Sequence, residues 1–439
     1  MRRICLTLPT NRACPQTITA IGEEAAYAAA HFGVEAHLLI LDSSDTATFT
    51  GHAGTVAALP QLPGVVVHHL DEAAQRAFLR RVIGGAGVAK PELMLDLMLP
   101  DGVSYGACTN RAFLIGAALG CESVHRRDSD SHYQTVDGEP VFPVHHELMS
   151  LGRPAAEAAP GVTENTLDPR HANKRVAMVG SSFVGELSVD IGEIRRLDPD
   201  VYYDVVSLWA PGDWSDSEKR ALVDDSFRGA GSDTFVRDHA TLTLVDPMRV
   251  DMCNISFHGV HESVPLPPAT DTIGSDYFLI HLVHDAALPG VLHNRNIVNF
   301  YTAERRTDAG FIAYQTRFVK FFLSMLYFNH IYDRMTASGE ALVDEQGHVR
   351  AGVIAEFARE STRLGQAENL QRLDRVDTAY RTLGGRYADF ADHLATRRER
   401  LLDEARSDIE DFALLTEAWE PLIRASKDAG PLLTAGNPA

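Results

Sequence analysis

The sequence predicts an α/β protein: a doubly wound, Rossmann-like mixed sheet followed by a helical C-terminal region. Three observations predict it. Buried-strand runs alternate with helical spacing through the N-terminal third. Turn residues close those runs at corresponding ends. From about residue 311 onward the apolar pattern is almost wholly helical.

Ile4-Cys5-Leu6-Thr7-Leu8 is a continuous apolar run ended by Pro9-Thr10-Asn11-Arg12, a strand entering a loop. Ile18, Ile21, Ala25, Ala26 and Ala29 recur at helical spacing across 16–32, and Gly33 supplies the stop. His37 to Leu41 predicts a second strand, broken by Asp42-Ser43-Ser44-Asp45, and Val65 to His69 a third. Strand, helix, strand at these lengths implies parallel pairing with a right-handed crossover. Ligands of such sheets bind beyond the carboxyl ends of the strands, which sets Pro9–Arg12 beside Asp42–Asp45 on one rim.

Gly102 to Arg111 then reads as a loop opening an Ala- and Leu-rich helix over 112–119. Gly120 stops it, and a short strand through Arg127 delivers the acidic loop Asp128-Ser129-Asp130 to the same rim. Residues 152–175 read as a loop or insertion. Strands are expected at 176–180, 201–208 and 291–293, a helix over 276–285, and long helices at 311–335, 351–382 and 386–427. The aromatic run from Phe311 to Tyr332 falls on nearly all sides of its helix, so that helix is expected to be buried or at a subunit interface, with a homodimer as the outcome.

Composition narrows the function. The 439 residues are 45% hydrophobic and 23% charged, an ordinary globular balance. Forty basic against 60 acidic residues give a net charge of −20, which repels phosphate backbones and anionic lipid. No nucleic acid and no membrane partner is therefore expected, while a small anionic ligand needs only a local cationic cluster. The five cysteines are scattered and never in CxxC spacing, which excludes a disulfide framework and a zinc ribbon. Pro9 and Thr10-Asn11-Arg12 interrupt the N-terminus too early for a signal-peptide core, and 318–332 is too short and polar to span a bilayer, so a cytoplasmic location is expected.

Two carboxylates two residues apart, as in Asp128-Ser129-Asp130, can share a hard divalent cation that bridges a diphosphate. Alone the spacing is weak and more simply describes a solvated acidic loop; its surroundings decide. The segment from Tyr105 to Asp130 resembles the central segment of GT-A-fold nucleotide-sugar glycosyltransferases, in which a loop with paired Asn and Arg opens an Ala-rich helix before a short strand and an Asp-x-Asp motif. Leu8-Pro9-Thr10-Asn11-Arg12 resembles the turn that ends the same family's first strand, and Thr272-Ile273-Gly274-Ser275-Asp276 its acceptor-side motif. The resemblance spans roughly residues 1–300.

That resemblance implies a GT-A-like catalytic domain over 1–305, with a nucleotide-sugar half at about 1–150 and an acceptor half at about 176–305. The helical region 306–439 is left for dimerisation or for covering the acceptor cleft. The donor would be a nucleoside-diphosphate sugar of UDP or GDP type. Pro9, Thr10, Asn11, Arg12 and Asp42 would hold the nucleoside, with Arg12, Asn110, Arg111, Arg127 and the loop Asp128, Ser129, Asp130 toward the sugar diphosphate. Mg²⁺ or Mn²⁺ would be bound by Asp128, Asp130 and His293, with His284 as the competing histidine. Asp276 would be the base that takes the acceptor's proton, or else a carboxylate stabilising a helix start. The acceptor would be a small molecule, of antibiotic-type specialised metabolism, with a thiol as one option.

Two departures stand against the family pattern. Asn110-Arg111 reverses the usual order, and Arg126-Arg127 replace the apolar residues before the acidic motif; these guanidiniums could pair with phosphate directly or hold the loop when no metal is bound. Other chemistries fit less well. A sugar-phosphate nucleotidyltransferase needs a glycine-rich loop after the first strand, which Pro9 to Pro15 lacks. An inactive nucleotide-binding scaffold is the reading from another class. His258-Gly-Val-His261-Glu262 and His145-His146-Glu147 form no zinc-hydrolase motif, and Glu186-Leu187 stand where a phosphate loop after Gly180 needs Lys and Ser or Thr. Gly84-Gly85-Ala86-Gly87 reads as a flexible loop.

Overall fold

The structure is a computed structural model; it describes residues 1–187, 191–232 and 234–430, with Glu304 described by its backbone alone. Four strands build the N-terminal half-sheet: β1 (Arg3–Thr10), β2 (Glu35–Asp42), β3 (Val65–Leu70) and β4 (Ser123–Arg127). The nine-stranded sheet runs β3-β2-β1-β4, then Asn254–His258, Met178–Gly180, Gly290–His293, Ala240–Thr243 and Glu164–Asn165. β1 pairs in parallel with β2 and β4, whereas Asn254–His258 is antiparallel to β4 and to Met178–Gly180. This is a doubly wound mixed sheet followed by a helical C-terminal region.

Local chemistry explains the N-terminal units. Helix α1 (Pro15–Phe32) opens with a proline whose missing N–H is not needed there, and ends where Gly33 adopts a left-handed φ of 61°. Helix Thr46–Ala57 begins where the Asp45 side chain accepts from Thr48 N, so Asp45 is a helix cap rather than a rim ligand. Asp71 caps helix Glu72–Ala86 in the same way, and that helix includes Gly84 and Gly85.

Three expectations are corrected. Residues 201–208 are not a strand: helix Pro199–Val206 forms because Asp198 caps it and Val201, Tyr202, Val205 and Val206 bury one face. The expected loop 102–111 is already helical from Tyr105, with Ser104 accepting from Ala107 N, so Asn110 and Arg111 lie inside helix Tyr105–Ala118. The long C-terminal segments are broken into Ala351–Ser361 and Ala367–Leu383, then Gly385–Ala395 and Arg398–Ala429.

The helices after residue 308 share one apolar core with the sheet. Phe278, Phe318, Phe412 and Trp419 are all buried in it, and Trp419 Nε1 donates to the His261 carbonyl at 2.9 Å. Helix Asp308–Ser338 is buried on most sides by its own chain, as in the Phe311 contacts with Tyr387 and Phe390, so its apolar faces need no second copy. No helix among the described residues is long and apolar enough to cross a membrane.

Candidate functional site

A cavity of about 460 Å³ opens at the carboxyl ends of β1 and β4. Pro9, Thr10, Asn11, Arg12, Arg111, Asp128, Ser129, Asp130 and Asp276 line it, so nine of the expected site residues come together. Tyr314, Phe321, Met325 and Tyr332 of helix Asp308–Ser338 form part of its wall, so the helical region contributes directly to the site.

The pleat of β4 sorts its two arginines. Successive side chains of a strand point to opposite faces. Arg126 faces the cavity, where it holds Asp128 at 3.2 Å and Asp276 at 2.7 Å. Arg127 faces the other side, buried under α1. There it pairs with both oxygens of Glu24 at 2.8 and 3.0 Å and with Glu147 at 3.0 Å, and Glu147 also takes His125 Nδ1 at 2.7 Å. The expectation that Arg127 meets the nucleotide is thereby corrected: it is a structural cation in a closed, buried network.

Asp130 lies between two guanidiniums. Its Oδ2 accepts from Arg305 Nη2 at 2.6 Å and from Arg12 Nη1 at 3.2 Å. Burial, together with the charge of Asp128, pushes the Asp130 carboxyl above its ordinary range, although both arginines pull the other way. A further carboxylate on the cavity, Asp251, accepts from Tyr277 OH at 2.6 Å and from the Ser182 hydroxyl. Burial raises the Asp251 carboxyl, the two hydroxyl bonds lower it, and the charges of Asp128 and Asp276 raise it again, for a net upward shift. Among the described residues no lysine or arginine pairs with Asp251.

Arg305 and Asp251 were missed in the sequence. Neither belongs to a motif, and each reaches the cavity through long-range folding, Arg305 lying 175 residues from its partner Asp130. Arg111 lines the cavity but is anchored by Gln75 Oε1 at 2.8 Å and the Met98 carbonyl at 2.6 Å. Asn110 is off the cavity: its amide donates to Leu266 O and accepts from Leu266 N, both at 2.8 Å, so it latches the helix to the neighbouring segment.

Asp42 is also off the cavity, fully buried at the end of β2. Its Oδ2 accepts from His52 Nδ1 at 2.7 Å and His69 Nε2 at 2.9 Å, and its Oδ1 from Ser44 N at 3.0 Å. These bonds hold the Asp42 carboxyl far below its usual range against the opposing effect of burial. Asp42, His52 and His69 are the described group of three whose ligand atoms lie within 4.8 Å of one another. It does not suit a metal. The Cys14 backbone N–H donates to His52 Nε2 at 3.0 Å, which needs the lone pair there and so puts the ring proton on Nδ1, the atom that faces Asp42. Asp128, Asp130 and His293 do not form such a group. His293 is absent from the cavity wall, its ring stacked on His146 at 5.5 Å and its Nδ1 accepting from Arg295 N at 3.2 Å.

Comparisons with known proteins add little chemistry. One family model matches residues 2–434, under the description "Family of unknown function". No curated protein matches the sequence. Among solved structures the chain is similar to the mannosyltransferase PcManGT from Pyrobaculum calidifontis in complex with GDP-Man and Mn²⁺, at 12% identity and a TM-score of 0.32, covering 95% of this chain and 88% of that one. Mouse xyloside xylosyltransferase 1, apo form, is similar at 11% identity and a TM-score of 0.18, covering 45% of this chain and 59% of that one.

Proposed function

The chain belongs to DUF6271, a family of unknown function, and from its cavity we propose that it transfers a sugar from a nucleoside-diphosphate sugar to a small-molecule acceptor. The observation that carries this reading is the charged lining of the cavity. Arg12 and Arg305 converge on Asp130, Arg126 holds Asp128 and Asp276, and Asp251 lines the same cavity on hydroxyl partners alone. Arginines suit a departing diphosphate, and carboxylates suit an acceptor that must lose a proton. The reading also draws on the resemblance of the Pro9–Arg12 and Asp128–Asp130 segments to nucleotide-sugar glycosyltransferases.

In the transfer, the bond from the anomeric carbon to the diphosphate oxygen breaks and the diphosphate leaves with the electron pair. The acceptor atom bonds to the anomeric carbon, and its proton passes to a carboxylate. Asp276 is fixed on Arg126, which suits a residue that orients the acceptor. Asp251 has hydroxyl partners and a raised carboxyl, the properties of a base working nearer neutral pH, so we assign it the proton. The aromatic walls Trp209, Phe227 and Phe321 restrict the acceptor to a small molecule with an apolar part, of the specialised-metabolite kind, nucleophilic through oxygen or sulfur.

The test is direct. Incubated with a panel of UDP- and GDP-sugars and candidate acceptors, the protein should release nucleoside diphosphate, followed by chromatography. Pyrophosphate release in a parallel incubation with nucleoside triphosphates and sugar 1-phosphates would instead indicate nucleotidyl transfer, and no release with any donor together with no thermal shift would remove the reading.

A further inference from the structure

We propose that the diphosphate subsite of this cavity is built from arginines, Arg305 and Arg12 around Asp130, and works without a divalent cation. The inference deepens the glycosyl-transfer reading and concerns how its leaving group is held.

The acidic loop is poorly disposed toward a cation. Asp130 Oδ2 already carries two guanidiniums, and Asp128 Oδ1 carries the Arg126 guanidinium at 3.2 Å. A divalent ion bound by both carboxylates would stand among three fixed positive charges. It would also lack the third protein ligand that the sequence suggested, because His293 lies off the cavity and, among the described residues, no group of three ligand atoms within 4.8 Å includes Asp128 or Asp130. Hard cations are held by oxygen ligands, and Asp130 Oδ2 and Asp128 Oδ1, engaged by guanidinium N–H groups, are poor candidates.

Arg305 supplies the opposite evidence. It is 6% exposed, lines the cavity, and its Nε and Nη1 have no hydrogen-bond partner. A buried guanidinium with unpaired N–H groups carries a desolvation cost that an arriving acceptor group would remove. The guanidinium lies 5.0 Å from the Tyr314 ring centroid, and its other nitrogen, Nη2, is tied to Asp130, so its position is set before any ligand arrives. Phosphate oxygens are among the acceptors that the fork of a preorganised arginine matches. Two guanidiniums set on one carboxylate give an arriving anion two cationic partners at this point, although the chain as a whole is at −20.

Titration calorimetry on the full chain tests this, with inorganic pyrophosphate, UDP and GDP as probes, after EDTA treatment and again with added MnCl₂ or MgCl₂. Pyrophosphate should bind equally well, within about 3-fold, in both conditions, and Arg305→Gln should weaken it by about 10-fold or more. Arg305→Lys, which keeps the charge, should restore part of the loss. Binding that appears only with added cation overturns the proposal, as does Arg305→Gln binding like wild type while its thermal unfolding is unchanged. The wild-type comparison of EDTA with cation decides the matter even if both variants fail to fold. Pyrophosphate binding in EDTA without any response to UDP or GDP would keep the arginine subsite and overturn the nucleotide reading. Absence of pyrophosphate binding in every condition overturns the subsite whatever the nucleotides do.

Discussion

Asp251 and Asp276 share one wall of the cavity yet have opposite electrostatic surroundings, and the two predict different mutant phenotypes. Asp251→Asn removes a carboxylate held by Tyr277 and Ser182 but leaves the arginines paired. Turnover with a hydroxyl acceptor should fall by about 10²–10⁴-fold, with pyrophosphate affinity unchanged. Asp276→Asn takes a charge from buried Arg126, whose remaining carboxylate partner is Asp128. It should lower stability by about 1–3 kcal/mol in urea denaturation and disturb nucleotide binding as well as turnover. Identical activity profiles for the two variants would refute this division of roles. The sequence revealed Asp276 through its motif but not Asp251. The same limit applies to Arg126 and Arg127: adjacent in sequence they read as a pair, yet the two-residue period of a strand sends one to the cavity and one to Glu24 and Glu147. The alternation was legible; the buried carboxylates that answer Arg127 come from α1 and from a helix over Val144–Ser150, and no local pattern announces them.

Among elements, the strands of the N-terminal half were legible because each is a short buried run closed by turn residues. The helix Tyr105–Ala118 was misjudged because Gly102 and Gly106 look like loop residues. Gly106 is helical, and its role is proximity: a Cβ there would stand 1.9 Å from the Pro267 carbonyl oxygen. Asn110 then bonds both backbone groups of Leu266, fixing the helix against that segment. Gly106→Ala should therefore destabilise the protein by about 2–3 kcal/mol, although alanine is the better helix former by about 1 kcal/mol. A urea midpoint at or above that of wild type would show that the helix can shift away without loss. The helix Pro199–Val206 was misread in the other direction, from its β-branched and aromatic content. Its Asp198-Pro199 start and the burial of Val201 with Val205 outweighed that propensity.

At the scale of the whole molecule, buried neutral histidines should set the acid limit of stability. Burial lowers His261 and His281 to about 3 and His68 and His145 to about 4, in each case chiefly by desolvation of the charged ring. In the unfolded chain these rings protonate near the ordinary value of about 6.5, so below that pH the unfolded state binds protons that the folded state refuses. Each such group removes up to about 1.4 kcal/mol of stability per pH unit as pH falls toward its folded value. Asp285 and Asp408 act oppositely: burial raises both to about 6, so the folded state takes up their protons first and gains relative stability between about pH 6 and 4. Burial also lowers His37, His146, His171, His258 and His293 and raises Asp130, Asp251, Asp333 and Asp411, so nine destabilising histidines against six stabilising aspartates leave a net loss on acidification. Partial neutralisation of the −20 net charge works against that loss, and about 0.3 M salt screens it. The midpoint of thermal unfolding should accordingly fall from pH 7 to pH 5 in such a buffer. His261→Met, which removes one buried ring beside Phe113, should reduce that slope by the share of one proton. A thermal midpoint that is flat or rises between pH 7 and pH 5 would mean that the buried rings are solvated or paired when charged, and that acid sensitivity lies with the carboxylates alone.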